Sequence, residues 1–242
     1  MLIAARNAIA GGKKISAKSY IQDGLIAMWD GIENAGWGVH DPNATVWRDL
    51  TGNGRDWTLI SAGSFRDDCF YCNGNAAAAQ QPILPLAYTI ECLSQTISGR
   101  WIFVGNSKGN AGANPGCVQG FCNSADLTFV QTGFTYPTAT TISYPRVNVR
   151  EKHLLSVAYQ YYNEYSLIPK DNYVDGSLVD SFTDFRNYWV NPGMSLLGYN
   201  NGGSASWLWT GSIYALRLYS RALTAEEIRH NYEIDRKRFG LP

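Results

Sequence analysis

The sequence predicts an all-β chain, an antiparallel two-sheet β-sandwich with a short C-terminal helix. From about residue 23 to 219, short apolar or alternating runs are separated by Gly, Asn, Asp and Pro clusters, and helical periodicity is missing. Asp175-Gly176 lies between two apolar stretches, the composition of a tight hairpin turn. Thr224-Ala225-Glu226-Glu227 then spells a helix start directly after the last apolar run.

In chain order, the first element is a basic arm over residues 1–22, in which Arg6, Lys13, Lys14 and Lys18 precede the first acidic residue, Asp23. Residues 23–242 form one domain, and deletion of the arm is expected to leave a folded head. Strands are expected near 25–29, 57–60, 88–94, 101–104, 127–131, 154–159 and 165–168. At Asp175-Gly176 both central residues must accept positive φ, which matches the twist of a hairpin. Trp207 and Trp209 share one strand face, with Leu208 on the other. Between residues 213 and 218 the apolar Ile213, Leu216 and Leu218 do not keep one parity, which predicts a bulge. The helix is expected over about 225–238. Thr224 and Glu227 form its capping box, Leu223 and Ile228 a hydrophobic staple, Arg236, Lys237 and Arg238 complement the dipole, and Gly240 stops it.

Composition excludes several classes. A chain of 242 residues with 45% hydrophobic and 13% aromatic residues can fill a core without staples. Twenty basic and twenty acidic residues cancel, so no overall field attracts nucleic acid or an anionic membrane. No run approaches the roughly 18 apolar residues of a membrane span. Arg6 interrupts the initial apolar run, so the N-terminus does not read as a secretory signal. Five cysteines cannot all pair within one chain. Cys69 and Cys72 form a CxxC, and Cys117 and Cys122 a looser pair. The irregular spacing and lack of nearby histidines favour reduced thiols over zinc, with a Cys117–Cys122 bridge open in an oxidising setting.

Three ordered blocks carry a family resemblance. Asp23-Gly24-Leu25-Ile26-Ala27-Met28-Trp29-Asp30-Gly31 is followed by the turn Asp49-Leu50-Thr51-Gly52-Asn53-Gly54. Tyr173-Val174-Asp175-Gly176-Ser177-Leu178-Val179 stands mid-chain, and the run from Gly211 to Thr224 ends in Arg217-Leu218-Tyr219-Ser220-Arg221-Ala222-Leu223-Thr224. Over about residues 23–239 the chain resembles the laminin G-like jelly-roll domains of the concanavalin A-like lectin/glucanase superfamily. The resemblance implies a jelly-roll sandwich. It leaves function open, because members serve as adhesion modules, carbohydrate-binding modules, enzyme appendages and phage structural parts. The wording here, including Asn231-Tyr232-Glu233-Ile234-Asp235, is similar to versions from bacteriophage, prophage and gut-bacterial proteins.

Catalytic patterns do not emerge. Related laminarinase-type glycosidases carry an E-x-D-x-(x)-E strand that places carboxylates on one face, and no strand here has it. Glu226-Glu227 is explained by the helix cap and Asp67-Asp68 by a turn. His40, His153 and His230 lack a flanking nucleophile motif, and the glycine-rich stretch 105–112 lacks a Gly-Lys-[Ser/Thr] ending. Asp49 and Asn53 are candidates for a structural calcium ion, since some relatives hold one at the sandwich edge, or they simply shape their turn. Carbohydrate recognition needs aromatic faces and amide or carboxylate groups in loops. Trp37 and His40, together with Tyr199, Asn200, Asn201 and Trp207, supply that combination.

The sequence therefore points first to a non-catalytic bacteriophage or prophage structural or decoration protein in the virion, its arm docking onto neighbouring virion or surface proteins or onto further copies of itself. The alternative is a carbohydrate-binding or adhesion module at a bacterial surface with a glycan as partner. A glycoside hydrolase ranks third.

Overall fold

The computed structural model describes residues 15–59, 63–73, 87–98, 147–160, 168–184 and 209–242, and the backbone of short strands at 103–105, 130–135, 138–143, 194–196, 199–201 and 204–206. A 3-10 turn, Ala17–Ser19, comes first. The strands are β1 (Leu25–Asp30), β2 (Val46–Trp47), β3 (Trp57–Thr58), β4 (Gly63–Phe65), β5 (Phe70–Asn73), β6 (Tyr88–Ser98), β7 (Phe103–Gly105) and β8 (Val130–Thr135). They continue with β9 (Thr138–Ser143), β10 (His153–Tyr159), β11 (Ile168–Val174), β12 (Ser177–Asp184), β13 (Met194–Leu196), β14 (Tyr199–Asn201), β15 (Ser204–Ser206) and β16 (Thr210–Tyr219). Helix α1 (Ala225–Phe239) ends the chain.

The antiparallel sandwich expected from the sequence is present, and the one α-helix among the described residues lies at the C-terminal end. One sheet runs β12-β11-β10-β6-β16-β5-β4, with β1 also paired to β16. Among the described residues, two-stranded pairs accompany it: β2 with β3, β7 with β13, β8 with β9, and β14 with β15. Strand β16 organises the large sheet. One of its edges follows β6, and the other is shared between β5 at residues 210–213 and β1 at residues 215–219.

The predicted bulge lies at that division. The register of β16 against β6 shifts between Ile213 and Ala215, and the Tyr214 carbonyl accepts from Gly31 N at 2.8 Å. One extra residue reverses parity, which is why Ile213, Leu216 and Leu218 all enter the same core cluster. The hairpin also forms as expected, with Asp175 at φ 50° and Gly176 at φ 75° between β11 and β12. Asp175 ties the turn to β10, accepting from Leu154 N at 2.9 Å and holding His153 Nδ1 at 2.6 Å.

The two faces of this sheet bury different chemistry. Inward lie Trp29, Trp47, Trp57, Phe70, Ile90 and Val157, with the Trp29 and Trp57 rings 5.4 Å apart. Outward lies α1. Both arms of its capping box are made, and Gly240 adopts the left-handed conformation at its end. Leu223 and Ile228, the staple pair, are buried together with Ala158, Tyr173 and Tyr219.

Ions are buried under the helix as well. The Arg217 guanidinium grips Asp235 with Nη1 at 3.0 Å and Nη2 at 2.5 Å, while its Nε donates to Glu91 at 2.7 Å. All three side chains are fully buried. Asn231 donates to Glu91 and to the Tyr219 hydroxyl, each at 2.9 Å. Burial pushes the Glu91 carboxyl upward, and its Oε1 has no hydrogen-bond partner among the described residues.

Residues 15–22, counted with the arm on sequence grounds, pack against this layer. Ala17 and Tyr20 are buried, the Tyr20 hydroxyl donates to Asp235 at 2.6 Å, and Ile21 N donates to the Asn231 side chain at 3.0 Å. No described helix is long and apolar enough to cross a membrane.

Candidate functional site

The loop after β1 is built by side chains folding back on main chain. Asp30 Oδ1 accepts from Ile32 N at 2.9 Å and Glu33 N at 3.0 Å, turning the chain as the strand ends. Gly31 passes so close to the β4–β5 turn that a Cβ would sit 2.4 Å from the Asp68 carbonyl oxygen. Buried Asn34 clasps the far side of the loop, donating to Asp41 O at 2.7 Å and accepting from Asp41 N at 2.8 Å. Between these anchors, Gly36 and Val39 form an isolated bridge, and Gly38 N donates to Glu33 Oε2 at 3.2 Å.

The helix end clamps the base of this loop. Arg238 donates to Asp30 Oδ2 at 2.5 Å and to Glu33 Oε1 at 3.3 Å. Its Nη1 also donates to the Tyr20 hydroxyl at 3.0 Å, and the side chain is nearly fully buried. Arg238, expected only to complement the helix dipole, thus ties together the helix end, the 3-10 turn and the loop.

At the tip, Trp37 and Val39 are exposed, at 40% and 51%. Lys18, on the 3-10 turn, places its ammonium 5.1 Å from the centre of the Trp37 ring. His40 Nδ1 lies 3.1 Å from Gly31 O. A carbonyl only accepts, so Nδ1 carries a proton and Nε2 is the other ring nitrogen open to a ligand hydroxyl. The result is a braced loop with an exposed indole, a cation over its ring, and an imidazole three residues on.

Trp37 and His40 are therefore on one braced loop. Asn200, between Tyr199 and Asn201 in β14, pairs with Ala205 of β15, while Trp207 lies outside the described residues. Asp49 and Asn53 shape their turn. The Asp49 carboxylate accepts from Met28 N, Thr51 N and Arg55 N at 3.0–3.2 Å, and Asn53 Nδ2 donates to Ile26 O at 3.0 Å. Among the described residues, no three His, Cys, Asp or Glu gather to hold a metal ion. Cys69, Cys72 and Cys92 are buried, with Cys69 and Cys72 in different clusters, while Cys117 and Cys122 lie outside the described residues. Burial pushes the Cys69 thiol up to about 11 and the Cys92 thiol up to about 12, which keeps both protonated. The carboxylates of Glu91 and Asp235, joined through Arg217, are sealed beneath α1 away from solvent.

Sequence reasoning missed Lys18, Asn34 and Arg238 as parts of this site. Asn34 had a local signal, since Asn and Asp at the two ends of a Gly-rich stretch favour side-chain to main-chain turns. Lys18 and Arg238 had none, because their partners are distant in sequence.

A family model described as the concanavalin A-like lectin/glucanases superfamily matches residues 94–229. No curated protein matches the chain. Among solved structures, Trypanosoma rangeli sialidase in complex with sialic acid is similar at a TM-score of 0.61 and 14% identity, over 96% of this chain and 35% of the sialidase. This chain thus spans about a third of that enzyme's length. Domain 4 of AbnA, a GH43 extracellular arabinanase from Geobacillus stearothermophilus, in complex with arabinotriose, is similar at a TM-score of 0.59 and 17% identity. That match covers 85% of this chain and 96% of the domain. At these identities the likeness is one of fold.

Proposed function

Because the chain belongs to the concanavalin A-like lectin/glucanases superfamily, we propose that it is a non-catalytic carbohydrate-binding module whose ligand docks on the loop around Trp37. The observation that carries this reading is a 40% exposed tryptophan on a loop braced by Asn34, Asp30 and Arg238. Holding a large apolar ring in water is unfavourable, and bracing it lowers the entropy lost when a flat ligand stacks on it. His40 Nε2 offers a polar contact for hydroxyls on the same loop. The arabinanase domain, similar over nearly its whole length, is a domain of an enzyme seen with an oligosaccharide, in keeping with an accessory role. The virion decoration role expected from the sequence lacks comparable support, so the glycan-binding alternative replaces it as the leading reading.

A glycan array spanning mucin, capsular and plant glycans, followed by calorimetry on the best ligand and on arabinotriose, tests the proposal. Trp37→Ala is expected to weaken binding by about 2 kcal/mol, roughly thirty-fold in Kd, as for a buried aromatic anchor. An array without any bound glycan, or a Trp37→Ala protein that binds like the parent, would reject it.

A further inference from the structure

We infer that the Trp37 surface selects acidic sugars, those bearing a carboxylate such as uronic or sialic acid, and that Lys18 is the residue that selects them. This inference rests on the glycan-binding reading above. It comes from the charge left at the loop once the contacts among the described residues are counted.

Lys18 is exposed, yet it is held in place. Its 3-10 turn is anchored by buried Ala17 and Tyr20, Ser16 Oγ accepts from Lys18 N at 3.2 Å, and Gln22 Nε2 donates to Tyr20 O at 2.8 Å. Its ammonium rests 5.1 Å from the Trp37 ring centre, and among the described residues it makes no ion pair.

The neighbouring acids are already engaged. Glu33 serves Arg238 with one oxygen and Gly38 N with the other. Asp30 serves Arg238 and the main chain of Ile32 and Glu33. Asp41 Oδ1 accepts from Asn43 N at 2.9 Å within its own turn, and Asp23 pairs with Arg221 at 2.8 Å. Among the described residues, Lys18 is the cation at the stacking ring that no carboxylate engages. That ammonium lies over the indole, so a pyranose stacking there displaces it, and a ring carboxylate engages it again where a neutral sugar leaves it to water. The indole face supplies stacking, common to all pyranoses, and Lys18 supplies the discrimination.

Paired ligands that differ in charge decide the matter: trigalacturonic acid against its methyl ester, and 3′-sialyllactose against lactose, added to the glycan array and titrated by calorimetry. One exposed ion pair predicts a preference of about two- to five-fold for the acidic member of a pair, shrinking as salt is raised. Lys18→Gln should bring that ratio towards one, and Lys18→Arg should keep it. Equal binding within pairs, an array that lights up neutral glycans only, or a ratio that survives Lys18→Gln would overturn the inference and leave glycan binding standing. An array with no glycan bound would remove both.

Discussion

Against the inner face of the large sheet Trp29 packs on Trp57 and Trp47 on Phe70, ring to ring, whereas on the outer face the equally buried Arg217, Glu91 and Asp235 hold one another by charge. Neighbouring residues of one strand separate the two regimes: Leu216 points inward and Arg217 outward. Apolar packing is non-directional, so a lost contact costs roughly in proportion to the area and volume removed. A buried ion is different, because removing one partner strands the other without water. The inner face supplies cohesion. The outer face sets where α1 sits, since Asp235 must meet Arg217 while Arg238 meets Asp30, and the loop bearing Trp37 hangs from that second contact.

Breaking the ionic side should show the largest effect. Arg217→Met is expected to cost about 3–5 kcal/mol in urea unfolding, since Glu91 and Asp235 are left uncompensated. Replacing all three by apolar residues of similar size should recover most of it, and failure to recover would mean that the face depends on shape more than on charge. The matching test on the inner face, Leu216→Ala, should cost about 2–5 kcal/mol through the cavity it opens, with no rescue from charge changes outside.

Tyr20→Phe removes a hydroxyl that donates to Asp235 and accepts from Arg238, and should cost about 1.5–3 kcal/mol by the same measurement. It also tests whether residues 15–22 belong to the folded body, since a detached arm would leave stability unchanged. Thr224→Ala should cost about 1 kcal/mol through the lost helix cap.

The smallest effect is pH-dependent. The hydrogen bond to Asp175 holds the His153 imidazole above its ordinary value of 6.5. A raised folded value means that this contribution is complete below about pH 6.5 and fades as pH rises through it. The melting temperature of the parent should therefore exceed that of Asp175→Asn at pH 6, and the gap should close by pH 9. Asn still accepts positive φ, so the turn itself survives the substitution. The contribution is under about 1 kcal/mol, as for a partly exposed pair.

Much of the framework was legible in the chain. The capping box, the staple, the Asp175-Gly176 turn and the parity break in β16 are all written within a few residues of where they act, because their partners lie within one turn or one strand repeat. Trp37 and His40 were legible as a candidate pair because both stand in one Gly-rich stretch. The brace beneath them was not.

Local order along the chain is enough for the class of fold and its small devices: short strands of period two, a turn that needs positive φ, and a helix with both ends marked. Which charges leave water is set by how those elements pack in three dimensions. Arg217 and Glu91 are 126 residues apart, and Arg238 and Asp30 are 208 apart. In sequence each reads as an ordinary polar residue on a sheet or helix. Desolvation depends on what the whole chain lays over a group, and that covering, absent from any local window, turns Arg238 from a surface cation into the clamp of the Trp37 loop and leaves Lys18 over the Trp37 ring with no ion pair among the described residues.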